Sequence, residues 1–262
     1  MTDRVSIAVD AGVAHVQLSR PAQMNALDPA MFDALAAAID ALAVRCDVRC
    51  VVLSGEGRAF CAGLDMAAMA SGGSGLLTHD RTHGPANLVQ HVAWGWRAMP
   101  QPVIAALHGV AFGGGLQIAA GADVRLATAD TRLSIREMHW GIVPDMAGYA
   151  LWRGTVRDDV LRELVYTARE VDGTDGAALG LVTRIAPDPL TEALALARTI
   201  AGRHPAAIRA AKRLFAVAAD GDPATILTAE TTEQAALLGT ADQREQVRAN
   251  MEKRAPVFGE GD

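Results

Sequence analysis

The sequence predicts an α/β fold, and three observations predict it. Short β-rich apolar runs alternate with alanine-rich helical stretches, two glycine-containing turns follow strands, and the chain beyond Thr191 reads as almost wholly helical. The chain has 262 residues, 50% hydrophobic and 21% charged, which suits a soluble globular protein with a substantial core. That length fits one large domain or two small ones.

Val5–Val9 and Val13–Leu18 are read as paired strands separated by Asp10-Ala11-Gly12, a hairpin turn. Asp28-Pro29 then opens a helix to about Arg45, with Asp28 as N-cap and Pro29 at the first helical position. Cys50–Ser54 and Val103–Leu107 are apolar enough for buried strands. Between them Ser71–Gly75 reads as a surface loop rather than a domain linker, because a helical pattern resumes near Pro85. The longest apolar stretch, Pro102–Ala122, is interrupted by His108, Gln117 and five glycines. It divides into a strand, a tight turn and a helix, and no run reaches the ~18 residues of a membrane span. Ser134–Met138 fits either a strand or the first turn of a helix, with a loop after it marked by Trp140-Gly141 and Pro144.

Bulk charge narrows the function. The net charge is −6 with acids and bases interspersed, which leaves no basic patch for nucleic acid. Cys46, Cys50 and Cys61 are odd in number and follow no zinc spacing, and the first residues lack the basic and apolar regions of a signal peptide. A reduced, cytoplasmic chain without a membrane partner is expected.

The chemistry concentrates in the two turns, Arg58–Asp65 and Phe112–Gln117. Neither is a P-loop, and Gly55-Glu56-Gly57 fails the dinucleotide fingerprint because Phe60 stands where the third glycine belongs. Glycines allow a bend by themselves. Three in succession before a helix, Gly113 to Gly115, also remove every side chain between the helix-end amides and an incoming group. Such amides suit a developing oxyanion. Downstream, Glu137 and Asp145 lie among Ile135, Met138, Trp140, Ile142, Val143 and Met146. A carboxylate in apolar surroundings has a raised pKa and serves as a general acid or base. His79 and His83 have a helical metal-ligand spacing but no third ligand beside them in sequence, so no metal site is expected. His108 and His139 flank the proposed pocket, either as supporting partners or as structural histidines. Lys212 and Arg213, on an alanine-rich helix, are expected to be solvated.

Several segments together resemble the enoyl-CoA hydratase/isomerase, or crotonase, family. They are Arg20-Pro21 with Asn25-Ala26-Leu27, Phe60 with Ala62-Gly63 and Asp65, Pro102–Ala106 with Gly109, Phe112–Gly115, and Glu252-Lys253-Arg254 with Pro256 and Phe258. The resemblance runs from about residue 5 to 258. It implies a spiral of ββα turns over residues 1–200, with a helical region at 201–262 that builds homotrimers or dimers of trimers. It implies an acyl-CoA thioester as substrate and an oxyanion hole from the backbone amides of Leu64 and Gly114. Gln23, Ala26, Ala62, Asp65, Met66 and Gly113 would line the CoA and substrate path, with Phe258 at the adenine end across a subunit boundary. Met66, Met69, Met138 and Met146 fit either an acyl pocket or ordinary core. No cofactor is implied beyond the substrate's own coenzyme A, because the thioester is the electron sink.

Two positions depart from the hydratase pattern of that family. Hydratases place one glutamate just after the triple glycine and a second twenty positions on, whereas this chain has Gln117 and Glu137. An amide neither gives nor takes a proton near neutral pH, although it can orient water. Asp145 replaces a family glycine, and the Glu137/Asp145 spacing is similar to that of dienoyl-CoA isomerases, whose further aspartate is here Gln117. Glu137, Asp145 and Gln117 are therefore the candidate catalytic set. Double-bond isomerisation is favoured, with hydration of a 2-enoyl-CoA and non-catalytic acyl-CoA binding as alternatives.

Overall fold

The computed structural model describes residues 4–70 and 78–259, so the Ser71–Gly75 loop lies outside the described residues. The strands are β1 (Val5–Asp10), β2 (Val13–Leu18), β3 (Cys50–Gly55), β4 (Val103–Leu107), β5 (Val110–Phe112), β6 (Val124–Ala127), β7 (Arg132–Ser134) and β8 (Arg184–Ile185). The helices are α1 (Pro29–Ala43), α2 (Met66–Ala70), α3 (Leu88–Ala98), α4 (Gly114–Gly121), α5 (Gly148–Trp152) and α6 (Asp158–Thr167). After them come α7 (Gly173–Leu179), α8 (Pro189–Ala201), α9 (Pro205–Asp220), α10 (Pro223–Leu237) and α11 (Ala241–Glu252).

β1 and β2 form the expected hairpin, Val5 opposite Leu18, with Ala11 and Gly12 at φ of 48° and 78°. Two consecutive left-handed residues match the twist of the flanking strands. α1 begins as predicted, Asp28 accepting the Met31 N–H and Pro29 needing no acceptor. From β2 onward every pairing in the large sheet is parallel, in the order β1-β2-β3-β4-β6-β8.

A second, narrower column runs beside this sheet. β5 pairs with β7 in parallel, and single bridges extend the column at Leu27–Leu64, Cys61–Ala111 and Leu133–Val171. Each turn of chain therefore gives a strand to the large sheet, a short segment to the narrow column and then a helix. This is the ββα spiral expected, and it brings the ends of successive turns to one edge.

The strands bury both faces, as parallel sheets do. Val51 and Leu53 point into a cluster with Phe32 and Leu35 of α1 and Trp96 of α3, whereas Cys50 and Val52 face Ala193, Ala197 and Ala201 of α8. The period of two along β3 thus decides which helix layer each residue meets. Alanines on α8 let that helix approach closely.

The outer helices differ. Among the described residues, α10 buries none and α11 buries only Ala249, while Phe215, Leu227, Leu238, Val247 and Met251 stand exposed. Lys212 corrects the sequence expectation: it is not solvated. Its Nζ donates to the Trp96 and Gln101 carbonyls at 3.0 and 2.7 Å and to Asp123 Oδ2 at 2.8 Å. The expectation failed because α9 lies over the end of α3, whose carbonyls need a donor. Arg213 does face solvent, paired with Glu233. Among the described residues, no helix is long and apolar enough to cross a membrane.

Candidate active site

The site is assembled at the edge where the spiral turns end. Asn25 is fully buried at φ 56° and acts as a clamp. Its Oδ1 accepts the Arg20 N–H at 2.8 Å, and its Nδ2 donates to the carbonyls of Glu56, Ala59 and Phe60 at 3.0, 2.9 and 3.2 Å. The first bond closes the 20–27 loop on itself, and the two hydrogens of Nδ2, shared among three carbonyls, lock that loop against the segment leaving β3. The next residues then pair: the Leu27 N–H donates to Gly63 O at 2.8 Å, and the Asp65 N–H to Leu27 O at 3.0 Å. Alternation along an extended segment turns the intervening Leu64 N–H to the opposite side. Among the described residues it has no acceptor.

Gly114 supplies a second such amide. It is the first residue of α4, so no carbonyl lies one turn back to receive its N–H. Gly113 before it adopts φ 49° and ψ −120°, a conformation reserved in practice for glycine. The closeness of the two turns is set at Gly63, where a Cβ would meet Phe112 O at 2.7 Å and lie 3.6 Å from Gly114 N. A Cβ on Gly114 would meet Met146 Sδ at 2.6 Å and Leu27 Cδ1 at 2.9 Å. The amides are thus flanked by apolar side chains. Gly114 and Gly115 belong to the helix itself rather than preceding it.

Beyond the glycines stands Glu137, which opens a single 3-10 turn, Glu137–Trp140, after β7. This resolves the strand-or-helix alternative for 134–138 into a strand end followed by a turn. A Cβ on Gly113 would lie 3.3 Å from Glu137 Oε1, so the missing side chain gives the carboxylate its place. Glu137 Oε1 accepts from Gln117 Nε2 at 2.6 Å, whereas Oε2 is buried with no hydrogen-bond partner. Gln117 is fully buried, and its own oxygen accepts the Met146 and Gly148 N–H groups at 2.9 and 3.0 Å. Both lone pairs of that oxygen are therefore used, and the amide orientation is dictated. The same loop carries Asp145, half-buried.

Burial holds the Glu137 carboxyl above its ordinary value; the Gln117 bond opposes this, and the nearby Asp145 charge adds to it. Burial likewise raises Asp145. An acid whose folded pKa is raised binds more protons folded than unfolded between its two pKa values, so stability falls as pH rises through that window. Thermal melts of Glu137→Gln and wild type across pH 4 to 8 are expected to diverge with rising pH, the variant becoming the more stable. Parallel curves would remove the burial argument.

The other sequence candidates fall into distinct places. Gln23 is exposed at the end of the short turn Pro21–Gln23, and Ala26, Ala62 and Met66 are half-buried. Asp65 is already engaged, capping the Ala68 N–H at 3.0 Å and pairing with Arg20 at 2.7 Å. Both contacts keep its carboxyl below the usual range. Met146 is buried and Met138 packs on the core, while the Met69 side chain lies outside the described residues. The apolar shell expected around the acids is corrected in part: Ile135 and Met146 are buried, but Trp140, Ile142 and Val143 are exposed. Gly141 at φ 69° turns that loop outward. His139 is exposed, and His108 faces the Gly57 carbonyl at 2.9 Å. Phe258 packs within its own chain, 5.8 Å from the His204 ring and 5.7 Å from Arg49. The Asn25 clamp escaped the sequence reading, although an Asn beside a proline turn is a signal for left-handed backbone.

A model of the family described as enoyl-CoA hydratase/isomerase matches residues 8–261. YngF of Bacillus subtilis (strain 168), named as an enoyl-CoA hydratase/isomerase, is 34% identical over 249 residues, covering 94% of each chain. The mitochondrial Delta(3,5)-Delta(2,4)-dienoyl-CoA isomerase of Rattus norvegicus is 30% identical, over 92% of this chain and 77% of its own. Among solved structures, an enoyl-CoA hydratase from Bacillus anthracis superposes with a TM-score of 0.89 at 27% identity, covering 98% of this chain and 100% of that one.

Proposed function

This chain belongs to the enoyl-CoA hydratase/isomerase family of the crotonase superfamily, and from that premise we propose that it shifts a double bond within a 3-enoyl- or dienoyl-CoA. The observation that carries the reading is the saturated oxygen of Gln117. Adding water across a double bond needs acceptors that orient the water and take its proton. Gln117 Oε1 already receives two backbone N–H groups, so it has no lone pair for a water. Isomerisation needs no water. The relatives include proteins named as dienoyl-CoA isomerases and others named as hydratases, so the choice rests on Gln117.

The sequence of events follows from the geometry. The thioester oxygen sits between the Leu64 and Gly114 amides. As a carboxylate removes a proton beside the carbonyl, the C–H electron pair moves into the thioester and the oxygen becomes an enolate, which the two N–H groups stabilise. The electrons return through the conjugated chain and a proton is delivered at a more distant carbon. Glu137 Oε2, the carboxylate oxygen without a partner, is the proton-carrying atom, and Gln117 holds the other oxygen. Asp145 is the second acid when donor and acceptor carbons are far apart. Burial raises both carboxyls above their ordinary values, which brings their proton exchange closer to the working pH. No redox group or metal takes part, since the thioester accepts the electrons.

The deciding experiment incubates the purified chain with 2-enoyl-, 3-enoyl- and dienoyl-CoA thioesters. Products of unchanged mass with shifted ultraviolet absorbance are expected; a gain of one water from a 2-enoyl-CoA would establish hydration instead. Binding without turnover of any member would leave the non-catalytic reading.

Assembly is part of the proposal. The exposed Phe215, Leu227, Leu238, Val247 and Met251 on the outer helices suit burial against other copies, in a trimer or dimer of trimers. Sedimentation at micromolar concentration is expected to give one of these, and a stable monomer would refute it.

A further inference from the structure

Away from the carboxylate site, three ligand-bearing side chains meet from separate segments. Asp40 lies on α1, His83 on the turn before α3, and His91 one turn inside α3. His91 Nε2 is 3.0 Å from Asp40 Oδ1, and His83 Nε2 is 3.8 Å from Asp40 Oδ2. One ligand atom from each lies within 4.8 Å of the others. The sequence showed a helical spacing for His79 and His83 but no third ligand, and no metal site was expected; the fold instead brings His83 to Asp40 and His91. Residues 79–86 are not helical, so His79 is exposed while His83 turns to His91.

We propose that Asp40, His83 and His91 bind a borderline divalent cation, with zinc as the best match. Two imidazole nitrogens and one carboxylate form a donor set that suits zinc and its neighbours rather than magnesium or calcium. The backbone under each histidine is fixed. His83 and Ala86 exchange both backbone N–H bonds, at 3.0 and 3.1 Å. Asn87 then starts α3 with a reciprocal cap on Gln90. His83 Nδ1 is 2.9 Å from Thr82 Oγ1, and an Nδ1–H donated there leaves the Nε2 lone pair free for a cation. His91 is wedged over Gly95, where a Cβ would come within 2.9 Å of its ring.

Tetrahedral zinc places its ligand atoms ~3.3 Å apart for bonds of about 2.0–2.1 Å; His91 and Asp40 already stand 3.0 Å apart, and it is His83, at 3.8 Å from Asp40, that must move in. It must also turn. The imidazoles are stacked, with centroids 4.0 Å apart and planes 16° from parallel, and a cation lies in the plane of each ring that binds it. His83, the less buried ring at 22% side-chain exposure against 10%, is the one that rotates out of the stack. To bind through Nε2, His91 carries its proton on Nδ1, and Asp40 exchanges its hydrogen bond with His91 for a bond to the cation. Water completes the shell on the exposed Asp40 side. The bound cation ties α1 to the start of α3, which packs on α4, the helix carrying Gly114 and Gln117.

The test titrates zinc chloride into the chelator-stripped full-length chain by calorimetry, with the thermal midpoint as a second readout. Expected are one ion per chain with micromolar or tighter affinity, a raised midpoint, and loss of affinity of tenfold or more in Asp40→Ala and in His83→Ala. His83 is half-buried on a turn whose neighbours Arg81, Thr82, Gly84 and Pro85 are exposed, so its variant retains the core even if His91→Ala does not fold. His79→Ala should bind as wild type. Absence of binding at 100 μM zinc, or binding that survives both Asp40→Ala and His83→Ala, would overturn the site.

Discussion

Gly114→Pro is expected to reduce turnover by about 100-fold or more, close to 2.7 kcal/mol of transition-state stabilisation, the typical loss for one oxyanion donor. Proline is tolerated at the first position of a helix, where its φ is already correct and no helical acceptor is lost. The backbone of α4 should therefore survive. The side chain is the complication, because any Cβ at 114 presses on Met146 and Leu27. Gly114→Ala carries the same Cβ and keeps the N–H, so it is the proper reference. A folded Gly114→Pro that turns over as fast as Gly114→Ala would remove the amide from the mechanism.

The second large effect is at Glu137. Replacement by Gln keeps shape and removes the titratable group, and general acid–base contributions of this kind are about 10²–10⁴-fold. We expect kcat to fall within that range while CoA-thioester binding persists. Asp145→Asn separates the mechanisms. In a two-acid relay over a conjugated diene it should be nearly as damaging, whereas a 3-enoyl substrate served by one base should show mainly a changed pH profile. Because burial raises both carboxyls, activity that requires ionised Glu137 should rise with pH through a midpoint above the ordinary carboxylate range. Wild-type turnover in Glu137→Gln would require a different base.

Much of the architecture was legible because local chemistry and tertiary packing agree. Val13–Leu18 and Val103–Leu107 have the predicted limits, and Asp28-Pro29 starts α1 as read. The motifs located the glycine turns and the two carboxylates. What stayed hidden depends on contacts between distant segments. Lys212 looks like a surface lysine until α9 is laid over the end of α3, and His83 belongs with His91 only once the 79–86 segment is seen to turn. Gln117 was legible as a missing acid, but not as the link between Glu137 and the 146–148 backbone. No periodicity reports which amide a buried oxygen will face.

That link bears on how such a site changes over generations. The amides of Met146 and Gly148 form a socket that asks only for an oxygen, and a glutamate at 117 would fill it as well as the glutamine does. Glutamine and glutamate codons differ by one base, so the socket leaves position 117 a single nucleotide from a second carboxylate with the surrounding backbone unmoved. The immediate consequence would fall on Glu137: its hydrogen-bond donor would become a like-charged neighbour, and a carboxylate oxygen in place of the Gln117 nitrogen, now 2.6 Å from Glu137 Oε1, would have to share a proton with it. One base change would therefore turn a one-acid site into a two-acid site on the same scaffold, altering proton affinity rather than shape.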